Sequence, residues 1–318
     1  MIVITAPTGN IGRSLLPLLI EAAPAHGESL RVVVRDPDRL PDDVRERVEV
    51  VTGSHGDPAT VDRAFAGADA VFWLVPPDGS MPPVAAYRGF TRPAVRAFAA
   101  HGVGHVVGVS ALGRGTPYAA RAGLVTATLA VDDLIAGSGV AYRALACPSF
   151  YENLLDEADA IREHGVFTDT AAPDLRVPRV AVADIAATAA RLLLDRSWGG
   201  VGSVPVVGPE ELSPEDLARV MTERCGRPVR YRRQSLDELR AELLGYGLDP
   251  AFVAAMVEMK HAKDHGLDAV APGTTHCPPP TAPVPSSVPV PGTTFARWCT
   301  TTLAPAVLHP APEATDVR

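Results

Sequence analysis

The first 35 residues read as strand, turn, helix and strand, and that order constrains the fold more than any other feature of the chain. Residues 1–5 are apolar and run into Thr5-Ala6-Pro7-Thr8-Gly9-Asn10-Ile11-Gly12. A helical pattern follows over 11–22, then a second strand pattern over 30–35. A β-turn-α-β unit with glycines in its turn is a grip for a dinucleotide. Gly9 lets the backbone approach a pyrophosphate, and Gly12 lets the helix pack closely on the strand. The N–H groups of the helix start, with Thr8, Asn10 and Ile11 around them, face the phosphates. Ala6 stands where the first glycine of a GxxGxxG loop would be, and its methyl is expected to crowd the pyrophosphate and weaken cofactor binding. At the end of the second strand an acidic residue would bind the ribose 2′-hydroxyl of NAD. Here Arg35 comes first, followed by Asp36, and a guanidinium suits the extra 2′-phosphate of NADP(H).

The alternation continues. Strand patterns at 48–52, 70–75, 105–110 and 141–147 are separated by helical spacing at 59–65, 84–100 and 119–136. Strands alternating with helices imply an α/β fold, a Rossmann-type doubly wound parallel sheet. Its ligand crevice lies beyond the carboxyl ends of the strands. Val75, Pro76, Ser110, Pro148, Phe150 and Asn153 therefore join the turn and Arg35 as expected cofactor-binding positions. Phe72, Trp73 and Tyr151 are expected with Pro76 and Phe150 around an apolar substrate cleft.

After Asn153 the rhythm changes. The division expected is 1–153 as the NADP(H)-binding domain, 154–303 as a smaller α+β substrate lobe, and 304–318 as a loose tail. The lobe contains helices at 154–163 and 182–196 and a strand at 203–207 that returns to the sheet. Ser213 followed by Pro214 reads as an N-cap and first helical residue. Residues 272–291 are dense in proline and favour an extended wrapping loop.

Bulk properties exclude some classes. A formal net charge of −8 argues against direct nucleic-acid binding. No apolar run is long enough to span a membrane, and the strand pattern starting at Met1 leaves no signal pattern, so a cytoplasmic location is expected. Cys147, Cys225, Cys277 and Cys299 are scattered without metal or disulfide spacing, which fits reduced thiols. His261 and His265 share a helical face, but the glutamate of an HExxH site is missing and no metal is expected. Lys260 and Lys263 are the only lysines in the chain.

The chain resembles the NmrA-like group of atypical short-chain dehydrogenase/reductases. The resemblance rests on Thr5–Gly12, Arg35-Asp36-Pro37, Gly67–Phe72, Ser138-Gly139-Val140, Ser149–Asn153, and the C-terminal pieces Ala262–Asp268 and Thr294–Cys299, the last two common in bacterial members. It implies NADP(H) as cofactor and a small-molecule substrate. Many short-chain dehydrogenases carry Tyr-x-x-x-Lys, in which the lysine lowers the tyrosine pKa for proton exchange with a carbonyl. That pair is absent here: Ala122 follows Tyr118 at the fourth place, and Thr128 stands where many NmrA-like reductases carry lysine. Ser110, Tyr118 and Tyr151 are the candidate catalytic residues, and Lys260 folding into the cleft is left open. The function expected is an NADPH-dependent oxidoreductase passing hydride to a small apolar electrophile, a quinone, enone or imine. The family also contains NADP(H)-binding regulators without catalysis. A redox-sensing regulator with a protein partner or as a homodimer, and a pathway enzyme with non-redox chemistry, stay open as alternatives.

Overall fold

Strand β1 (Ile2–Thr5) is buried at every residue, as a strand must be when both faces of its sheet are covered. The computed structural model describes residues 1–268 and 292–309. In chain order the first part comprises β1, α1 (Asn10–Ala22), β2 (Leu30–Val34), α2 (Asp42–Arg45), β3 (Glu49–Thr52), α3 (Pro58–Phe65), β4 (Ala70–Trp73), α4 (Pro83–His101), β5 (His105–Ala111), α5 (Leu124–Ala136), β6 (Ala141–Cys147) and β7 (Ser149–Phe150). The second part comprises α6 (Ala158–His164), β8 (Val166–Asp169), β9 (Val177–Val180), α7 (Val182–Leu194), β10 (Val201–Pro205), β11 (Glu211–Leu212), α8 (Pro214–Cys225), β12 (Arg230–Arg233), α9 (Leu236–Gly245), α10 (Pro250–Asp264), α11 (Phe295–Trp298) and α12 (Ala304–Leu308).

Seven parallel strands form the central sheet in the order β10-β6-β5-β4-β1-β2-β3. Its order reverses at β1, with Ile4 beside Val32 of β2 and Phe72 of β4. The pleat sends alternate residues to opposite faces. Ile4 and Phe72 meet α1 and α7, while Val3 and Trp73 meet α3, α4 and α5. The strand expected to return is β10, paired with β6 from Val201↔Tyr142 to Pro205↔Ala146. A further core gathers Tyr151, Leu154, Phe167, Leu217, Phe295 and Trp298. Beside it lie a small sheet, β11-β9-β7, and the parallel pair β12-β8. Ser213 caps α8 in a reciprocal capping box with Asp216.

Three local expectations change. The helix expected over 119–136 begins at Leu124, because Gly123 adopts φ 52°, ψ −110°, a conformation that breaks any helix before it. Residues Tyr151–Glu157 are a 3₁₀ helix ahead of α6, not one α-helix from 154. The loose tail expected from 304 is helical through Leu308, and Ala304 and Val307 are buried there, because with Leu303 they share one helical face that docks on the core around Trp298. Residues 310–318, the proline-dense stretch up to 291, and Cys277 lie outside the described residues.

Candidate active site

The grip is built from the backbone outward. Ala6 has φ +49°, the only positive φ at a non-glycine among the described residues. Its carbonyl accepts the Gly9 N–H at 3.1 Å. A Cβ at Gly12 would lie 2.1 Å from that same carbonyl oxygen, so only glycine lets α1 sit this close to the turn. No side chain caps α1 at Gly9, which leaves first-turn N–H groups for an anion. Thr5 ties the crevice edges together: its hydroxyl donates to the Phe72 carbonyl at 2.8 Å and accepts from the Leu74 N–H at 3.3 Å.

Arg35 is exposed at the end of β2 and forms no hydrogen bond or ion pair among the described residues. The Asp36 carboxylate is committed elsewhere, accepting the Asp38 N–H at 3.1 Å. Of the two, the guanidinium is the group available to a ribose substituent. Close by in charge terms is His55, whose Nε2–H donates to the Leu74 carbonyl at 2.9 Å. Its ring stands edge-on to Trp73 and Phe90. Burial, reinforced by the Arg35 charge, lowers its pKa to about 4, so the ring is neutral at pH 7.

Beyond the grip, at the carboxyl ends of β4, β5 and β6, a cavity of about 340 Å³ opens. Ile11, Val75, Ser110, Pro148, Phe150 and Asn153, all expected cofactor positions, line it. Thr8 and Gly9 lie in the turn, Asn10 and Gly12 in the first turn of α1 and Arg35 just after β2, and Pro76 yields its place on the wall to Pro77. Trp73 also lines the cavity, and its buried indole N–H has no acceptor among the described residues. Phe72 is on the opposite face of the sheet, in the core with α1 and α7.

Ser110 is 5% exposed and donates its proton to Asp132 Oδ2 at 2.5 Å. Tyr142 donates to Oδ1 of the same carboxyl at 2.6 Å, and Arg114 stands 3.5 Å away. Burial raises the Asp132 pKa against the lowering effect of these donors. With Asp132 charged, Ser110 offers the cleft only lone pairs. A protonated Asp132 would donate to Ser110 and free the hydroxyl proton for a ligand. Asp132 was missed from sequence, although a carboxylate inside the apolar run Leu124–Ala136 was a readable signal.

Two candidate acids are corrected by their surroundings. Tyr151 is 1% exposed, packed on Phe295 and Trp298 away from the cleft. Phe150 faces the cleft, so the next residue turns into the smaller core, where burial pushes the Tyr151 phenol far up. Tyr118 packs with Ala122, Val125, Leu129 and Leu267 and does not line the cavity. Tyr87, on the buried face of α4, does line it, and burial pushes its pKa up to about 12, so it is a neutral phenol. Its spacing with Thr91, Ala94 and Phe98 reads as core, which hid it. Cys147 also lines the cavity, but burial drives its thiol pKa far up, leaving it unreactive.

Lys260 does not reach the cleft. Its Nζ pairs with Asp169 at 2.7 Å, and this charge with that of Arg179 overcomes burial to hold the Asp169 carboxyl well below its usual range. Lys263 does line the cleft, together with Met259 and Thr128. Among the described residues no three His, Cys, Asp or Glu side chains are placed to share a metal ion, and no helix is long and apolar enough to cross a membrane.

A doubly wound parallel sheet, a glycine turn under an uncapped helix and an apolar cleft at the switch point define a dinucleotide-binding protein of the α/β class. The NAD(P)H-binding family profile matches residues 7–195, and the chain belongs to that family. It is 30% identical to the (4-alkanoyl-5-oxo-2,5-dihydrofuran-3-yl)methyl phosphate reductase of Streptomyces griseus, over 86% of this chain and 90% of the relative. It is 28% identical to quinone oxidoreductase 2 of Escherichia coli, over 78% of this chain and 82% of that one. The triphenylmethane reductase of Citrobacter sp. complexed with NADP(H) shares the fold, with a TM-score of 0.74 and 18% identity over 97% of this chain and 100% of that one.

Proposed function

We propose that this chain is an NADPH-dependent oxidoreductase whose acceptor is a compact, apolar electrophile such as a quinone, enone or imine. The observation that carries this reading is the cleft itself, which begins at Ile11 in the first turn of α1 and is walled by Trp73, Tyr87, Val109, Leu124 and Phe150. A cavity of this size is at the small end for ligand sites, which suits a flat ring held against a nicotinamide. The names of two relatives support reduction of a conjugated carbonyl: one is a quinone oxidoreductase, the other a reductase of an alkanoyl oxo-dihydrofuran that also carries a charged methyl phosphate.

Bound NADPH would supply the hydride. The chain's own residues would orient and exclude water. The turn from Thr8 to Gly12 would hold the pyrophosphate, Arg35 the 2′-phosphate, and Pro148, Phe150 and Asn153 the nicotinamide end. The apolar walls would bring the acceptor into reacting distance, the part of catalysis that needs no acid. Following NADPH absorbance with quinones, enones and imines tests this: protein-dependent oxidation with one class is expected, and binding without oxidation by any class would refute it. Arg35→Asp should raise Kd for NADPH at least tenfold more than for NADH, the scale of one lost charge-assisted contact. Equal losses for both would remove Arg35 from the 2′-phosphate site.

A further inference from the structure

The family-type lysine is missing from α5, yet a lysine stands in the cleft. Lys263 comes from the last turn of α10, more than a hundred residues after Thr128, and both line the same cavity. Two close approaches bring it there. A Cβ on Gly123, at the start of α5, would lie 1.8 Å from the Ala255 carbonyl oxygen of α10, and one on Gly113 would lie 2.5 Å from a Leu267 methyl. Glycine at both places lets α10 and the turn after it lie directly on the β5–α5 connection.

The ammonium is held in place. Lys263 Nζ pairs with Asp268, whose side chain is 3% exposed. That bond uses one of three ammonium protons, leaving two for other acceptors. Lys263 and Ser149 also line a second chamber of about 30 Å³, whose other walls include Asp169, Thr170, Arg179, Lys260 and Asp264. It is polar and large enough for a water molecule. Lys263 thus sits on the wall between an apolar reaction chamber and a polar one.

We propose that Lys263 is a catalytic residue of the cleft, binding the acceptor oxygen and delivering its proton, the post that many family reductases fill from α5. This rests on the reading of the chain as an NADPH-dependent reductase. As hydride forms the new bond on the acceptor, NADPH is oxidised and a carbonyl π pair collects on the acceptor oxygen. Nζ donates a hydrogen bond to that oxygen, then its proton, and regains one from water through the polar chamber. A positioned donor of this kind is worth about 10²–10³-fold in turnover.

The test uses full-length wild type, Lys263→Met, Lys263→Arg and Val257→Ala, the last trimming a buried α10 side chain that lines neither chamber. Two readouts are taken: acceptor-dependent NADPH oxidation, and the visible spectrum of 4-nitrophenol bound in the presence of NADP⁺. The phenol mimics an acceptor oxygen that gains charge, and its yellow phenolate band reports a cation beside it. Expected results are a 10²–10³-fold loss of kcat in Lys263→Met, NADPH affinity within about twofold, and loss of the phenolate band, with the band retained in Lys263→Arg. Lys263→Met keeping both turnover and band would overturn the proposal. So would equal losses in Val257→Ala, which would trace the effect to helix docking. If wild type oxidises NADPH with no acceptor, the reductase reading fails, while the phenolate band still decides the role of Lys263.

Discussion

Replacing Gly123 by alanine should damage both the fold and the cleft, by an amount the structure allows one to work out. The residue sits at φ 52°, ψ −110°, a region that side chains avoid at a cost of about 1–3 kcal/mol. The new Cβ would meet the Ala255 carbonyl oxygen at 1.8 Å. Backbone cannot swing aside as a side-chain tip does, so α10 must move, adding about 1–3 kcal/mol of overpacking. Alanine also narrows the unfolded ensemble, which returns about 0.4–1 kcal/mol. The net loss is about 1–6 kcal/mol, centred near 3. Gly226→Ala is the matched control: its φ is +65° and a Cβ there meets nothing within 4 Å, so only the conformational cost of about 1–2 kcal/mol applies. Urea denaturation of both variants measures the difference. Because Met259 and Lys263 ride on α10, Gly123→Ala should also lose turnover while its NADPH affinity, set by the turn at Gly12, stays close to wild type. A Gly123→Ala protein as stable as Gly226→Ala, with unchanged turnover, would refute this account of how α10 is seated.

Other consequences can be measured with the same protein. Ala6→Gly should stabilise the apoprotein by about 1 kcal/mol, since relief of about 1–2 kcal/mol at φ +49° outweighs the entropy lost by glycine; a lower melting temperature would show that the turn is not strained by its methyl. His55 carries a folded pKa of about 4 against 6.5. Its neutral form is the one the fold accepts, so its contribution is intact above about pH 6.5 and is lost as pH falls toward 4. At about 1.36 kcal/mol per pH unit this amounts to about 3 kcal/mol. A His55→Gln variant should lose stability less steeply than wild type across that window, and parallel slopes would contradict the burial of this ring.

What was legible in the sequence followed from local physics. Strands buried on both faces read as continuous apolar runs, and β1 and β4 stood out for that reason. The glycine turn was legible because Gly12 answers to one neighbour a few residues away. Tyr151 was misread because it was placed on the same wall as its neighbour Phe150, whereas successive residues at the end of β7 turn to opposite sides, one to the cleft and one to the smaller core. Lys263 was out of reach: its place in the cleft depends on Gly123 meeting Ala255 and Gly113 meeting Leu267, contacts across more than a hundred residues that leave no periodic trace. The rarity of lysine was a usable hint, but it could not choose between Lys260 and Lys263, which lie on one helix and share the polar chamber, Lys263 alone also lining the cleft.

The return of β10 to the edge of the sheet carries a consequence for how such a chain can change over time. Between β6 and β10 the chain leaves the sheet, starts the smaller core with α6, β8 and β9, packs α7 on the sheet's far face and only then supplies the seventh strand. The two cores are stitched by several passes, so neither can be excised at a single joint. Recombination that swaps one contiguous C-terminal block for another would strand an unpaired edge at β6 or remove the helix covering β1. New acceptor preferences in this architecture must therefore come by substitution and loop growth within the chain, with the walls of the cleft altered residue by residue while the weave stays whole.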